Sequence, residues 1–577
     1  MRTRTRLLLA AVAAAVIAPL VPFAASAATP EVPDPLAPGE HPVAVADYTL
    51  GDEAFKPTNF PWPVEITGQI HYPTDSKNGP YPLVVLLHGR HSPCYVGKET
   101  RLKWPCTGDE KPIPSYLGYT ELAKSLASHG YAVLSISANG INAKDNQDAE
   151  FGQPARGELT LKHLDLWRSW RNHAKGPIPT QALRSLDLNN IGLMGHSRGG
   201  EGMVNAVEQN AMREESQRHG IAALLPLAAT DFSRRVPTGL PMAALLPACD
   251  DDMYELPGVH YYDDGRYRAA NDRGVRHTVT VLGANHNYFN SVWSPSAGLP
   301  GSVDDWKTRP GSPCDPAQST RLTEQQQRNV GTAYMGTFFR YYLGNETQFA
   351  PLWKGQAGVP RSLAPAQAYV SYHPSTISGK RKDINRFASV RTVNELGGDI
   401  TVGGQLKATR CGGYRTDAKG SCLHVQQTSD IREPHRGWGV LGVDAHQLTW
   451  TSPTDSLTNA IPAAHSDVRS FKAVQLRAAV DFTNELNPVG KAQDMRVELV
   501  DAAGKSASAK VSAFSRGLDY PPVGPDGDVV PHLLFHQVHV PLNAFTGVNL
   551  AQVSSVRLAF DATPTGSIVV ADLAFTA

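Results

Sequence analysis

Residues 191–199 are Ile-Gly-Leu-Met-Gly-His-Ser-Arg-Gly, a short apolar run that leads into a serine flanked by glycines. The run predicts a buried strand, and residues 200–204 after it predict the start of a helix. A serine that projects its hydroxyl from a sharp strand-to-helix turn needs glycines close by, because the turn leaves no room for Cβ atoms. Ser197 is therefore the candidate nucleophile, and a purely structural turn is the alternative.

Apolar runs alternate with helical patterns on both sides of this stretch. Besides 191–194, the predicted strands are 81–87, 131–136, 221–227, 242–246 and 277–282, and the predicted helices are 120–129, 157–172 and 325–342. Continuous apolar runs of this length are typical of buried parallel strands. Strand-helix alternation therefore predicts an α/β domain over residues 43–355, built on a mostly parallel, doubly wound sheet.

The pattern changes after residue 355. Helical periodicity fades, and short alternating strands appear between turn residues, at 399–408, 474–482, 495–500, 536–540, 553–560 and 567–575. This spacing predicts an all-β sandwich of jelly-roll type over residues 368–577. Residues 360–366, rich in proline and alanine, are the predicted linker. Trp438 and Trp450 could stack on sugar rings, but burial in the core is the favoured interpretation.

Composition excludes several classes of partner. The 577 residues include 54 Lys and Arg against 54 Asp and Glu, so no basic surplus points to nucleic acid.

Residues 1–27 have the pattern of a secretory signal peptide, with three arginines, an apolar segment and a final Ala-Ser-Ala. No second long apolar stretch follows, so no integral membrane anchor is expected. The sequence predicts a secreted protein.

The six cysteines fit that compartment. An even number outside the cytoplasm favours three disulfides, and none of the spacings is the C-x-x-C of a zinc or thiol-redox site. Cys94 with Cys106 and Cys411 with Cys422 each enclose a short loop, which leaves Cys249 and Cys314. This pairing follows sequence proximity alone, and six cysteines allow about 15 connectivities.

An acid and a base are the partners that a serine nucleophile needs. Asp250, Asp251 and Asp252 follow the predicted strand 242–246, and His286 follows the strand 277–282. Both groups lie just past the carboxyl ends of strands, in the chain order Ser, Asp, His. The three aspartates could alternatively form a solvated or calcium-binding loop, and His286 could be structural.

Two other histidines are weaker candidates for the base. His196 is next to the serine and must point away from it, and His260 has no strand directly before it. Two backbone amides are needed for the oxyanion. We expect them from Arg198, directly after the serine, and from Arg90 in the turn that follows the strand 81–87. The chain has no G-x-G-x-x-G or P-loop after a strand, so neither an organic cofactor nor a metal is predicted.

These motifs resemble a known superfamily. Residues from about 60 to 345 are similar to α/β-hydrolases, and most similar to secreted actinobacterial dienelactone-hydrolase and cutinase-like esterases. The resemblance lies in His88-Gly89, Gly195-His196-Ser197-Arg198-Gly199-Gly200, Ala248-Cys249-Asp250-Asp251-Asp252 and Gly283-Ala284-Asn285-His286. It implies an α/β-hydrolase fold. In polyester-hydrolysing relatives the acid lies three residues after the position of Cys249, which implies Asp252, with Asp250 and Asp251 as open alternatives.

One departure from those relatives concerns the substrate. Polyester hydrolases of the group carry a tryptophan after the next strand, where this chain has Ala228-Ala229-Thr230-Asp231. The resemblance therefore does not carry a synthetic-polyester activity over to this chain.

The function predicted from the sequence is that of a secreted serine hydrolase of carboxylic esters, small or polymeric. Ser197 would be the nucleophile, His286 the base and Asp252 the acid, with Arg90 and Arg198 in the oxyanion hole. The alternatives are an acyltransferase, a peptidase, or a non-catalytic surface-binding protein. The sandwich would bind a polysaccharide or polymer surface. Because all the candidate site residues lie before residue 290, a chain ending near residue 358 is expected to keep activity on soluble esters.

Overall fold

The computed structural model describes residues 30–75, 78–254, 256–412, 444–529 and 535–577. The predicted signal peptide, Cys422 and Trp438 lie outside these residues. Before residue 375, the described strands are β1 (Val43–Phe55), β2 (Val64–Pro73), β3 (Tyr81–Leu87), β4 (Cys94–Val96), β5 (Glu99–Arg101), β6 (Lys111–Pro112), β7 (Ala132–Ile136), β8 (Leu186–His196), β9 (Ile221–Leu227), β10 (Met242–Pro247), β11 (Arg276–Val281) and β12 (Ala368–His373). The helices are α1 (Thr120–Ser128), α2 (Asn139–Asn142), α3 (Gln153–His173), α4 (Thr180–Arg184), α5 (Arg198–Met212), α6 (His260–Asp263), α7 (Glu324–Leu343) and α8 (Ala350–Trp353).

The prediction of a mostly parallel α/β-hydrolase layout is wrong. Within the described residues, the largest sheet has nine strands in the order β1-β2-β7-β3-β8-β9-β10-β11-β12 and is mixed. Strands β1, β2 and β12 run antiparallel to their neighbours, while those from β7 to β11 are parallel. The described chain has more strand (30%) than helix (24%), and its other sheets are antiparallel. Apolar runs indicate burial but not strand direction, so the sequence pattern could not expose these antiparallel strands.

Both faces of the nine-stranded sheet are covered. Along β3, Leu83, Val85 and Leu87 belong to one apolar cluster, and Val84 and Leu86 belong to another. The alternation follows from the pleat, which directs successive side chains to opposite faces. Helices α3 and α5 cover the first face, and α1, α7 and α8 cover the second. The carboxyl ends of the parallel strands are left at one edge, where loops lie side by side.

Two antiparallel sheets follow. Their strands are β13 (Arg381–Asn385), β14 (Ile400–Gly403), β15 (Lys407–Gly412), β16 (Asp444–Trp450), β17 (Ser456–Ala460), β18 (Ala473–Val480), β19 (Arg496–Asp501), β20 (Ser506–Lys510), β21 (His536–Pro541), β22 (Val553–Ala559) and β23 (Gly566–Thr576). One sheet has the order β15-β16-β23-β18-β21 with β13 beside β23, and the other has the order β14-β17-β22-β19-β20. They share one apolar core, in which Trp450 is fully buried and not available to stack on a ligand. We call residues 381–577 the two-sheet region.

Strand β12 belongs to the first sheet, although the predicted boundary assigns it to the second domain. It pairs with β11 along its whole length. The backbone N–H groups of Val370 and Tyr372 in β12 also donate to His536 (3.0 Å) and Gln537 (2.7 Å) of β21. The strand therefore joins the nine-stranded sheet to the two-sheet region.

A buried ionic cluster lies at the same junction. Arg477 of β18 donates to Asp263 of α6 at 2.8 Å and to Asp572 of β23 at 2.9 Å. Arg266, which follows α6, also pairs with Asp572. All four side chains are 3% exposed or less. Removing either half of the molecule would break the Arg477–Asp263 and Arg266–Asp572 pairs and would leave each half with one pair of its own, Asp263–Arg266 or Arg477–Asp572. Breaking buried ion pairs in this way is unfavourable.

Two disulfides are present in the described part of the chain. Cys94 is bonded to Cys106, and Cys249 is bonded to Cys314. Both pairs agree with the predicted pairing. The third predicted pair includes Cys422, which lies outside the described residues. Among the described helices, none is both long and apolar enough to cross a membrane.

Candidate active site

Ser197 occupies a strained turn between β8 and α5. Its backbone has φ 56° and ψ −128°, a conformation that costs a non-glycine residue free energy. A Cβ on Gly195 would lie 2.1 Å from the carbonyl oxygen of Gly199, and a Cβ on Gly199 would lie 2.5 Å from that of Leu87. The glycines are therefore required by the close approach of three backbone segments. This is the geometry that the sequence predicted for residues 195–199.

The turn after β3 lies against this serine. A Cβ on Gly89 would come within 2.5 Å of the Ser197 Cβ and 3.2 Å of its Oγ. His88 is fixed beside Gly89, because its Nε2 accepts from the Ala138 N–H at 2.9 Å and its Nδ1–H donates to the Gly89 carbonyl at 2.8 Å. The His88–Arg90 turn is thus held next to the serine hydroxyl.

His286 follows β11 and lies at the same sheet edge. Its Nδ1 is 2.9 Å from Oδ2 of Asp250, and both side chains are 2% exposed or less. The other oxygen of Asp250 accepts from the backbone N–H groups of Asp252 (3.1 Å) and Met253 (2.6 Å). This local turn directs the Asp250 carboxylate inward, so that it faces the imidazole.

Asp252 and Asp251 lie differently. Oδ2 of Asp252 is 3.3 Å from the other ring nitrogen of His286, Nε2, and the Asp252 side chain is 37% exposed. Asp251 is exposed. The structure therefore brings Asp252 to the base, as the sequence led us to expect, but on the ring nitrogen that must face the nucleophile. The acid on Nδ1 is Asp250, one of the open alternatives, two residues before the position that the resemblance implied.

The ionisation of His286 follows from these neighbours. Burial by itself would lower the pKa of His286, but the carboxylates of Asp250 and Asp252 outweigh it and raise the pKa to about 10. Burial also raises the pKa of Asp252 to about 6, against the opposing charge of His286. The imidazole is therefore cationic at neutral pH, and it becomes a base as the pH rises.

Ser197 Oγ makes no hydrogen bond with a described residue, and Asp252 occupies the Nε2 side of His286. Hydrogen bonds between a nucleophile and its base are often long or absent without substrate, and they tighten only in the enzyme–substrate complex. Because Asp252 is partly exposed, its carboxylate can turn towards solvent and free Nε2.

The two backbone amides expected to bind the oxyanion are those of Arg90 and Arg198. Neither the Arg90 N–H nor the Arg198 N–H donates to a protein acceptor in the described part of the chain. Arg198 is the first residue of the 15-residue helix α5, so its N–H lies at the positive end of the helix dipole.

The side chains of the same two arginines converge on one carboxylate. Asp145, 1% exposed, pairs with Arg90 (3.2 Å), Arg156 (2.8 Å) and Arg198 (2.8 Å). Three guanidinium groups therefore share a single buried carboxylate, which holds the side chains of both candidate oxyanion residues in place.

The two rival histidines have other partners. His196 donates from Nε2 to the carbonyl oxygen of His286 at 2.9 Å, and its Nδ1 accepts from the Tyr119 hydroxyl at 3.1 Å. His260 is bonded to Asp231 and to Arg234. Burial lowers the pKa of both imidazoles, so neither carries a charge at neutral pH. His196 contributes by supporting the backbone of His286.

Three residues at the site were not foreseen. Trp293 is fully buried, and the centre of its ring lies 4.8 Å from the centre of the His196 ring and 5.5 Å from the centre of the His91 ring. Asp145 holds the arginines, and Asp305 accepts from the backbone N–H of His286. Asp145 and Trp293 lie in single 3-10 turns and Asp305 lies in a loop, and none of these segments has a periodicity or a motif, so only the tertiary contacts reveal them. Among the described residues, no group of three or more His, Cys, Asp or Glu side chains is arranged so that it could hold a metal ion.

No protein-family model matches this chain, and neither does any curated protein. The resemblance to secreted esterases therefore stays a prediction, and the geometry of the site carries the functional argument.

Proposed function

We propose that this protein is a serine hydrolase of carboxylic esters. The observation that carries the proposal is the Asp250–His286 pair at the same sheet edge as Ser197. A strained serine, a buried acid-histidine pair and two free amides are the parts that acyl transfer through a covalent intermediate needs.

Each part has one role in the proposed reaction. Ser197 Oγ attacks the acyl carbon while Nε2 of His286 takes its proton, and Asp250 holds the Nδ1–H and stabilises the imidazolium. The N–H groups of Arg90 and Arg198 bind the oxyanion of the tetrahedral intermediate. His286 returns its proton to the leaving alcohol. Water, deprotonated by His286, then hydrolyses the acyl-enzyme and releases the acid.

Asp252 has a different part in this scheme from the one that the sequence predicted. Its carboxylate must leave Nε2 before His286 can accept the serine proton, and the entering ester displaces it. Its charge adds to that of Asp250 in raising the pKa of His286, so Asp252 helps to move the activity towards alkaline pH without orienting the imidazole.

The test combines covalent labelling with turnover. The protein is incubated with an alkyl fluorophosphonate, and hydrolysis of p-nitrophenyl esters of increasing chain length is followed at 400 nm. Wild type is expected to be labelled at Ser197, and Ser197→Ala to lose both labelling and turnover. Ser169→Ala, an exposed serine of α3, is the matched control and is expected to behave as wild type. Labelling and turnover that survive Ser197→Ala would refute the proposal.

The alternatives from the sequence predict other outcomes. A surface-binding protein would show neither labelling nor turnover. An acyltransferase would give an ester instead of the free acid when an alcohol is added, and a peptidase would cleave p-nitroanilides faster than the matched esters.

We also propose that the protein is secreted. The support is the signal-peptide pattern of residues 1–27 together with the two disulfides, which persist in oxidising compartments. Processing after residue 27 and protein in the culture medium are the expected results. A full-length protein found only inside the cell would contradict it.

A further inference from the structure

The loop between Trp293 and α7, residues 294–323, carries two consecutive aspartates next to the base. Asp304 is exposed, whereas Asp305 is fully buried. We call this segment the 294–323 loop. It contributes no residue to the proposed reaction.

Asp305 binds the backbone that carries the base. Its carboxylate accepts from the backbone N–H of His286, from the backbone N–H of Asn287 (3.2 Å) and from the Asn287 side-chain amide (2.5 Å). Its own carbonyl oxygen accepts from the Asn285 side chain at 3.3 Å. Asp305 therefore contacts three consecutive residues around His286. A buried carboxylate that accepts several backbone N–H bonds fixes the segment that donates them.

The opposite side of the same backbone is also held. The His286 carbonyl oxygen accepts from His196 Nε2 at 2.9 Å, so His286 is bound through both its N–H and its C=O. The Nδ1 contact with Asp250 in turn restricts rotation of the His286 side chain.

The 294–323 loop is anchored at two independent points. Its Cys314 is bonded to Cys249, the residue directly before Asp250. Its Arg309 pairs with Asp526 of the two-sheet region at 2.6 Å, and the Asp526 N–H donates to the Gly311 carbonyl at 3.2 Å. The loop is therefore linked to the segment of the acid by the Cys249–Cys314 disulfide. It is linked to the segment of the base by the hydrogen bonds of Asp305.

We propose that Asp305 is a positioning residue that places His286 against Asp250 and Ser197, with the 294–323 loop as its support. The inference rests on the proposed function. Burial raises the pKa of Asp305 to about 8, against the charge of His286. Asp305 is therefore ionised at the pH at which His286 loses its proton, and its negative charge helps to raise the pKa of His286.

The test is Asp305→Asn in the full chain, with Asp304→Asn as the matched control. The control removes the same charge from the neighbouring, exposed position, where the carboxylate accepts a hydrogen bond from the Asn287 side chain at 2.7 Å and from no backbone N–H of a described residue. Asp305→Asn is expected to lower kcat for a p-nitrophenyl ester about 100-fold, the size of effect that follows from about 1 Å of misplacement. KM is expected to change little. The acid limb of the pH profile is expected to move to lower pH, because His286 loses a negative neighbour. Asp304→Asn is expected to change kcat less than about threefold.

The outcomes separate this inference from the proposed function. If wild type neither hydrolyses esters nor reacts with the fluorophosphonate, both fail. If wild type is active and Asp305→Asn matches it, the positioning role alone is refuted. A fall in kcat with an unmoved acid limb would also refute it, because a merely structural residue would give that result. Should Asp305→Asn not fold, Asn287→Ala removes the side-chain donor to Asp305, and an unchanged kcat in that variant would overturn the proposal.

Discussion

The replacement of Asp250 by asparagine tests which aspartate serves the base. Asparagine keeps an oxygen for the Met253 N–H but puts an NH₂ group where Oδ2 now faces His286 Nδ1 at 2.9 Å. That amide donates to Nδ1, so the ring proton moves to Nε2. An imidazole with a proton on Nε2 cannot accept the proton of Ser197.

The size of the effect follows from the burial of the pair. The carboxylate of Asp250 is fully buried, so solvent does not replace its charge in stabilising the imidazolium. We expect kcat to fall about 10⁴-fold, equivalent to about 5.4 kcal/mol of transition-state stabilisation. Asp252 is 37% exposed and contacts Nε2, so Asp252→Asn is expected to change kcat at most about tenfold.

Initial rates with a p-nitrophenyl ester at saturating substrate measure both variants, and circular dichroism checks that each is folded. A greater loss of kcat in Asp252→Asn than in Asp250→Asn would refute the assignment and restore the order that the resemblance implied. Equal losses would mean that the two carboxylates act as one unit.

The remaining predictions concern pH, the junction and the length of the chain. Neighbouring carboxylates raise the pKa of His286 to about 10, so kcat/KM should rise with pH up to that value, and Asp252→Asn should move the rise to lower pH. A kcat/KM that stays flat from pH 6 to 10 would contradict this. Arg477→Met should leave the Asp263 carboxylate buried with a weakened ion pair, and urea titration should show a free energy of unfolding lower by about 3–5 kcal/mol. A change below about 1 kcal/mol would show that the remaining charged side chains rearrange around the missing arginine. A chain that ends at Gly358 lacks β12, the Arg477 partner of Asp263 and the Asp572 partner of Arg266, so it should be unfolded or aggregated by light scattering. An active, monomeric fragment would restore the independent domain expected from the sequence.

Local patterns in the sequence were enough to locate several features. The apolar runs 81–87 and 221–227 coincide with β3 and β9, because continuous burial leaves little choice of residue type. The glycines around Ser197 marked a turn that no Cβ could enter, and the structure has that turn. Both observations depend on atoms within a few residues of each other. For that reason they are visible without the fold.

Contacts between distant segments decided the rest. The direction of β1, β2 and β12 depends on how the chain returns to the sheet, which apolar runs do not record. Which of three consecutive aspartates faces His286 depends on the rotation of one turn, and that turn is set by the hydrogen bonds of Asp250 and by the Cys249–Cys314 disulfide.

The sequence by itself determined where a nucleophile and a base could stand, because each follows a buried strand and steric limits act locally. The tertiary structure alone decided that Asp250 faces the base and that Asp305, 19 residues away along the chain, holds its backbone. Hydrogen bonds to a buried carboxylate are short-ranged and directional. They form only when the fold has brought separate loops to the same sheet edge. No pattern of residues that are neighbours in the sequence predicts which loops come together.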